Sequence, residues 1–401
     1  MNRRSKPLPF AEFVTLLALM ISIVAMATDV MLPALDVMGH DLRVVDPNDV
    51  QLIVSALFLG FAVGQVIAGP VSDCVGRKPV IYVGYLVFIA GCLMSIFATD
   101  MTVMLIGRVL QGLGAASPRI ITIAIVRDGY EGRAMARIMS ITMAVFILVP
   151  AIAPTIGQGI IHISDWRMTF ALLMAMAIVT FFWFALRQPE TLAVSERRQF
   201  SFSGIAAGVA EAVRYHAAVG YTLAAGCIFG AFLGYLSSAQ QVFQVGFGVG
   251  EYFPLYFGAA ALTIGSASIF NSKRVMQLGM RYLTWRAVIG MTLVSTLYLI
   301  PVLLFDGLPP LWSFMIWLLA TFFCVGIMFG NFNALAMEPL GHMAGLGAAL
   351  VGSGSTFISL PLGWAVGAAF DGSAMPLVAG FAVLGAASAC IMYLTEKLQP
   401  Q

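Results

Sequence analysis

The sequence predicts an all-α integral membrane protein whose twelve transmembrane helices form two six-helix bundles. Three observations point there. Hydrophobic residues fill 60% of the 401 positions and charged residues only 10%, a balance foreign to water-soluble domains. The apolar runs are as long as the roughly 20 residues a bilayer-crossing helix needs, whereas barrel strands alternate over about 10. No long polar stretch leaves room for a soluble domain.

Taken in order, the apolar runs predict helices at 10–34, 50–70, 79–98, 102–126, 135–161 and 167–187, then 217–245, 252–271, 284–304, 310–335, 344–369 and 375–395. The basic N-terminus resembles a leader, but the apolar segment continues to Leu35 without a cleavage site, so it reads as a retained first helix. The polar stretch 188–216 carries Glu190, Glu196, Arg197, Arg198 and Glu211 and divides the chain into bundles at 1–187 and 217–401.

Charge sets the orientation. Of the 21 Lys and Arg residues, Arg43 and Arg167 fall on one side and Arg108 and Arg119 within a span. The other 17, among them Arg3, Arg4, Lys6, Lys78, Arg127, Arg133 and Arg137, share the side of both termini. By the positive-inside rule that side is cytoplasmic. Cys74, Cys92, Cys227, Cys324 and Cys390 are scattered, with neither a disulfide framework nor a metal-binding spacing. Phosphate loops and zinc-protease motifs are absent, and no histidine falls deep in a span. The expectation is therefore no enzyme, no cofactor, no metal and no nucleic acid; the partners are a small-molecule substrate, protons and lipid, around a monomer.

Four groups of residues carry chemistry. The loop Gly69-Pro70-Val71-Ser72-Asp73-Cys74-Val75-Gly76-Arg77-Lys78-Pro79 combines turn-forming glycines with both signs of charge, and 270–283 echoes it about 200 residues later. In the fourth helix, Arg108 and Arg119 are cations at membrane depth, costly unless paired or wet; eleven residues apart, they lie within about 20° on one helix face. Asp29 is the acid placed clearly inside a span, about a turn from the outer end of the first helix, at a depth similar to that of Arg108. The fifth helix carries Pro150, Pro154, Gly157 and Gly159, which remove backbone hydrogen bonds and permit close helix approach. Gln111, Gln240, Gln241 and Asn331 are uncharged polar groups in spans, suited to orienting a substrate or to joining helices.

With Arg108-Val109-Leu110-Gln111-Gly112-Leu113-Gly114, the Pro150 to Gly159 element, Trp166-Arg167, Thr28-Asp29 and Leu32-Pro33, the 69–79 loop makes the chain resemble the major facilitator superfamily. Within it, the drug/proton antiporter branch with twelve spans, of the Bcr/CflA type, is most similar. The resemblance implies a bacterial inner-membrane secondary transporter, exporting drugs or metabolites by proton antiport with alternating access. A proton-coupled importer of a small anionic or zwitterionic metabolite is the alternative. Asp29, the span-embedded acid with Arg108 at similar depth, reads with that arginine as the proton-coupling pair, while the resemblance implies the rest. It also implies gating by Gly69, Asp73, Gly76, Arg77, Pro150, Pro154 and Gly157, with Asp73 and Arg77 joining the halves when the cavity faces outward. Arg119 departs from the family pattern and favours an anionic or zwitterionic substrate.

Overall fold

A chain in hydrocarbon must satisfy its backbone hydrogen bonds within each segment, so every long apolar run closes into a helix. The computed structural model describes residues 8–197 and 202–398; Arg3, Arg4, Lys6 and Arg198, counted above in the charge bias, lie outside the described residues. Among those described, twelve helical segments are long and apolar enough to cross a membrane.

The first span, Phe10–Asp41, is broken into α1 (Phe10–Asp29) and α2 (Leu35–Asp41). It is followed by α3 (Leu52–Val75), α4 (Arg77–Ile96), α5 (Met101–Gly129), α6 (Gly132–Ile163) and α7 (Arg167–Arg187). A non-spanning α8 (Phe202–Arg214) precedes the second set. That set is α9 (His216–Gln240), α10 (Phe253–Leu278), α11 (Met280–Leu304), α12 (Leu311–Met337), α13 (Ala344–Ala368) and α14 (Met375–Lys397). With an even number of spans both termini share one face, here the terminal face; the other is the distal face.

The two sets repeat the same packing. In the first, α3 and α4 pack on α5, α1 on α6 and α4 on α7; in the second, α10 and α11 pack on α12, α9 on α13 and α11 on α14. Close approach uses small residues: a Cβ at Gly60 would strike the carbonyl of Val109, and one at Gly112 that of Leu57, so α3 and α5 meet backbone to backbone. The halves join mainly where α3 packs on α13 and α6 on α10, with α3 also touching α9.

The first span corrects the expected boundary. Helix propagation past Asp29 fails at Pro33, which has no N–H to offer the carbonyl of Asp29. The chain turns through Leu32–Ala34 and resumes as α2, so the span runs on to Asp41 rather than ending at 34. Asp29 consequently lies roughly 18 Å below the distal end, at 1.5 Å per residue, and not one turn from it.

Candidate functional site

The break in the first span creates the need that Arg108 meets. Without an i+4 donor, the Ala27 carbonyl accepts from Arg108 Nη2 at 2.9 Å. The same guanidinium donates through Nε to Ile53 O at 3.0 Å and through Nη1 to Gln111 Oε1 at 2.6 Å. Its carbon stands 5.7 Å from the centre of the Phe170 ring, and the residue is fully buried. Arg108 thus ties α1, α3 and α5 together through backbone carbonyls, a use that suits a planar five-donor group.

Asp29 stands beside this network without joining it. It is the only buried acid among the described residues, and it makes no hydrogen bond or ion pair there. The arginine at similar depth therefore reaches the peptide two residues before Asp29, not its carboxylate. Across the divide between halves, the nearby Tyr235 on α9 has a buried hydroxyl without a partner. Gly157 lets α6 press on the break itself: a Cβ there would collide with the carbonyl of Val30. Pro150 and Pro154 lie upstream in the same unbroken α6.

Arg119 has different surroundings. Its guanidinium carbon lies 4.6 Å from the centre of the Phe146 ring on α6 and 5.9 Å from that of Phe61 on α3. Those are the two first-half helices that pack on the second half, so Arg119 is at the boundary between bundles. Its Nη1 is buried without a hydrogen-bond partner.

Protein groups partner all four amides singled out in the sequence. Gln111 spends both ends inside the first bundle, accepting from Arg108 and donating from Nε2 to Ser95 Oγ at 3.0 Å. Asn331 is locked in a reciprocal pair with Asn271 of α10, at 2.8 and 3.0 Å. Gln240 donates to Gln244 within its own segment at 2.8 Å. Gln241, opening a single π-helical turn over Gln241–Gly246, belongs to a latch at the distal face.

That latch consists of three side chains. Gln51 Nε2 donates to Gln241 Oε1 at 2.5 Å and to Gly367 O at 2.8 Å. Gln241 Nε2 donates to Asn48 Oδ1 at 3.1 Å and Pro47 O at 3.3 Å. Asn48 Nδ2 donates to Phe370 O at 3.0 Å and Ala368 O at 3.2 Å. These six hydrogen bonds join the two bundles at the distal face, where His162 Nε2 also stands 3.4 Å from Glu251 Oε1. Sequence reasoning missed Asn48 and Gln51, since two amides beside a loop proline carry no signal of their own.

At the terminal face the charged loop stays within the first half. Arg77 is 2.5 Å from Asp73 and 2.9 Å from Asp128, and its Nη1 donates to Ser72 Oγ at 2.8 Å. Gly76, at φ 107°, makes the sharp turn between α3 and α4, in a region where side chains are strained. Glu190 then accepts from the backbone N–H groups of Arg77 and Lys78, both at 3.0 Å, placing a carboxylate at the positive end of α4. Gly69 has open space where a Cβ would stand. Asp128 and Glu190, also missed, are acids among basic residues near helix ends, which is the only trace they leave in the sequence.

Comparison with known proteins agrees with this architecture. A family model described as Major Facilitator Superfamily matches residues 17–363. "Multidrug resistance protein D" of Escherichia coli K12 is 27% identical over 347 residues, 84% of each chain. The "Bicyclomycin resistance protein homolog" of Haemophilus influenzae is 28% identical over 356 residues, 85% of each chain. An "Uncharacterized MFS-type transporter YdgK" of Bacillus subtilis is 29% identical over 327 residues, 81% of this chain and 80% of that one. Among solved structures, the xylose transporter XylE of E. coli superimposes with a TM-score of 0.73 at 12% identity over 98% of both chains.

Proposed function

Because the chain belongs to the major facilitator superfamily, a family of transporters, we propose that it exports small organic molecules across a bacterial inner membrane in exchange for protons. The terminal face is cytoplasmic in this reading, as the charge bias supports. The distal latch is then the closed outer gate. Relatives named for multidrug and bicyclomycin resistance support the outward direction.

The observation that carries the proposal is Asp29, a buried carboxyl with no partner, at a helix break and facing the second half. Such a group takes up or releases a proton as the halves move, since each arrangement offers it a different environment. Arg108 serves this by holding the break open rather than by pairing with the carboxylate. Arg119 holds the negative group of the substrate, its free Nη1 giving a charge-assisted hydrogen bond at the boundary between halves.

The test uses inside-out vesicles and a labelled compound panel with an imposed pH gradient. Asp29→Asn is expected to abolish uphill transport while leaving substrate exchange intact; uphill transport surviving in that variant rejects the assignment. In parallel, Arg119→Lys keeps partial activity and Arg119→Ala loses the preference for anionic over cationic analogues. An alanine variant with unchanged preference removes Arg119 from the substrate site.

A further inference from the structure

The halves meet along two main seams, and the distal ends of the two are closed by different chemistry. At the α3–α13 seam the latch of Asn48, Gln51 and Gln241 is built from amides, whose hydrogen bonds do not change with acidity. At the α6–α10 seam the contact is ionic. His162 Nε2 of α6 stands 3.4 Å from Glu251 Oε1, in the turn before α10.

Each position suits its charge. His162 lies in the last turn of α6, the negative end of that helix, and Glu251 in the Gly250–Tyr252 turn at the positive end of α10. Both side chains are exposed on the distal face, so protons in the water there reach the imidazole directly. Histidine is the side chain whose charge changes between about pH 5 and 8.

The other titratable and charged groups around α6 are engaged elsewhere or distant. On α1, Asp29 is buried at the break and Glu12 pairs with Arg187 at the terminal face; the Leu32–Ala34 turn has none. Tyr252 follows Glu251 in its turn, Tyr256 of α10 stacks on Phe243, and Lys273 and Arg274 lie at the terminal end of α10. Arg167, opening α7, is engaged with Asp165 and with Asp41 of α2. Arg119 of α5 meets α6 at Phe146, about 24 Å from His162 at 1.5 Å per residue. On α6 itself, Arg133 and Arg137 lie at the terminal end. Neither His162 nor Glu251 has a second charged partner among the described residues.

We propose that His162 and Glu251 form an acid-tightened clasp across the α6–α10 seam. Protonation of the imidazole turns their contact into an ion pair that bridges the halves, so it is made only while the distal face is closed. Its stabilisation of the closed face is therefore present in acid and lost as the pH rises through the histidine range. With the distal face outside, as proposed above, protons reach Asp29 through an open distal face, and the clasp restrains their entry when the exterior is most acidic. The clasp itself stands or falls independently of that reading.

The experiment places spin labels at Phe97 and Phe305, exposed distal residues of opposite halves, in protein with the native cysteines replaced. The distance distribution gives the ratio of distal-closed to distal-open protein between about pH 8 and 5.5. Acidification is expected to raise that ratio about two- to fivefold more in the parent than in His162→Gln, the scale of one exposed ion pair. Responses of other groups, His40 and Asp29 included, are common to both and cancel. Glu251→Gln is expected to remove the same increment, the double variant no more than either single one, and about 1 M salt to shrink it. On an Asp29→Asn background the increment is expected to persist, which separates the clasp from proton coupling. A parent and a His162→Gln variant that respond alike, a Glu251→Gln variant that keeps the parent's response, losses that add in the double variant, an increment indifferent to salt, or one absent from the Asp29→Asn background would each overturn the proposal.

Discussion

Replacing Gln241 with leucine tests the latch directly. The side chain accepts one hydrogen bond from Gln51 and donates to Asn48 and Pro47, all across the divide. A net 0.5–1.5 kcal/mol for each would total about 1.5–4.5 kcal/mol, but Gln51 keeps its bond to Gly367 and the partners near the loop regain water, so about 2 kcal/mol is the reasonable loss. That converts to a roughly thirtyfold shift toward the conformation with the distal face open. Pulsed electron spin resonance between labels at Val45 and Tyr252, exposed residues of distal loops in opposite halves, reads it as growth of a longer-distance population. Gln244→Leu is the control, since Gln244 bonds only within its own segment, to Gln240 and Gly250. If Gln241→Leu leaves the distance distribution unchanged, or Gln244→Leu moves it equally, the three-amide latch is not what holds this face closed.

Arg108→Met should destabilise the fold by at least about 3 kcal/mol, because it strands the Ala27 carbonyl and Gln111 Oε1 where water cannot replace the guanidinium; the loss is read as a lower melting temperature in detergent. Gly157→Ala is expected to cost about 1–3 kcal/mol against the Val30 carbonyl, whereas Gly159→Ala, with nothing within 4 Å of the new Cβ, should not destabilise. Asp128→Asn should slow turnover about two- to fivefold, in keeping with a partly exposed ion pair, and leave the substrate concentration for half-maximal transport unchanged.

The number and places of the spans were legible because hydrophobic length is a one-dimensional property, readable without knowing what packs on what. The break at Asp29 was not, although Pro33 announces it: Asp36, His40 and Asp41 make the following turn too polar to look like a span, and its packing against the 47–51 turn is invisible in one dimension. The polar side chains divide by the same logic. Arg108 and Asp29 stand out because a charge at membrane depth demands a reason. The amides do not, because a glutamine is equally at home in a bundle, as Gln111 is, and in a latch, as Gln241 is, whose partner Gln51 lies 190 residues away in sequence.

The placing of the latch on α3 has a mechanical consequence. Where Gln65 packs against Gly352, α3 and α13 meet through a residue without a side chain, which offers no interlocking resistance to rolling. That level is about 21 Å along the helix from Gln51, at 1.5 Å per residue. Used as a fulcrum, it gives the amides a long arm: a tilt of about 5° separates them by roughly 2 Å, beyond the reach of hydrogen bonds that end near 3.2 Å. All six bonds lie near the tip of that arm and part together, so the distal face behaves as a catch that releases in one step rather than a zip that opens bond by bond.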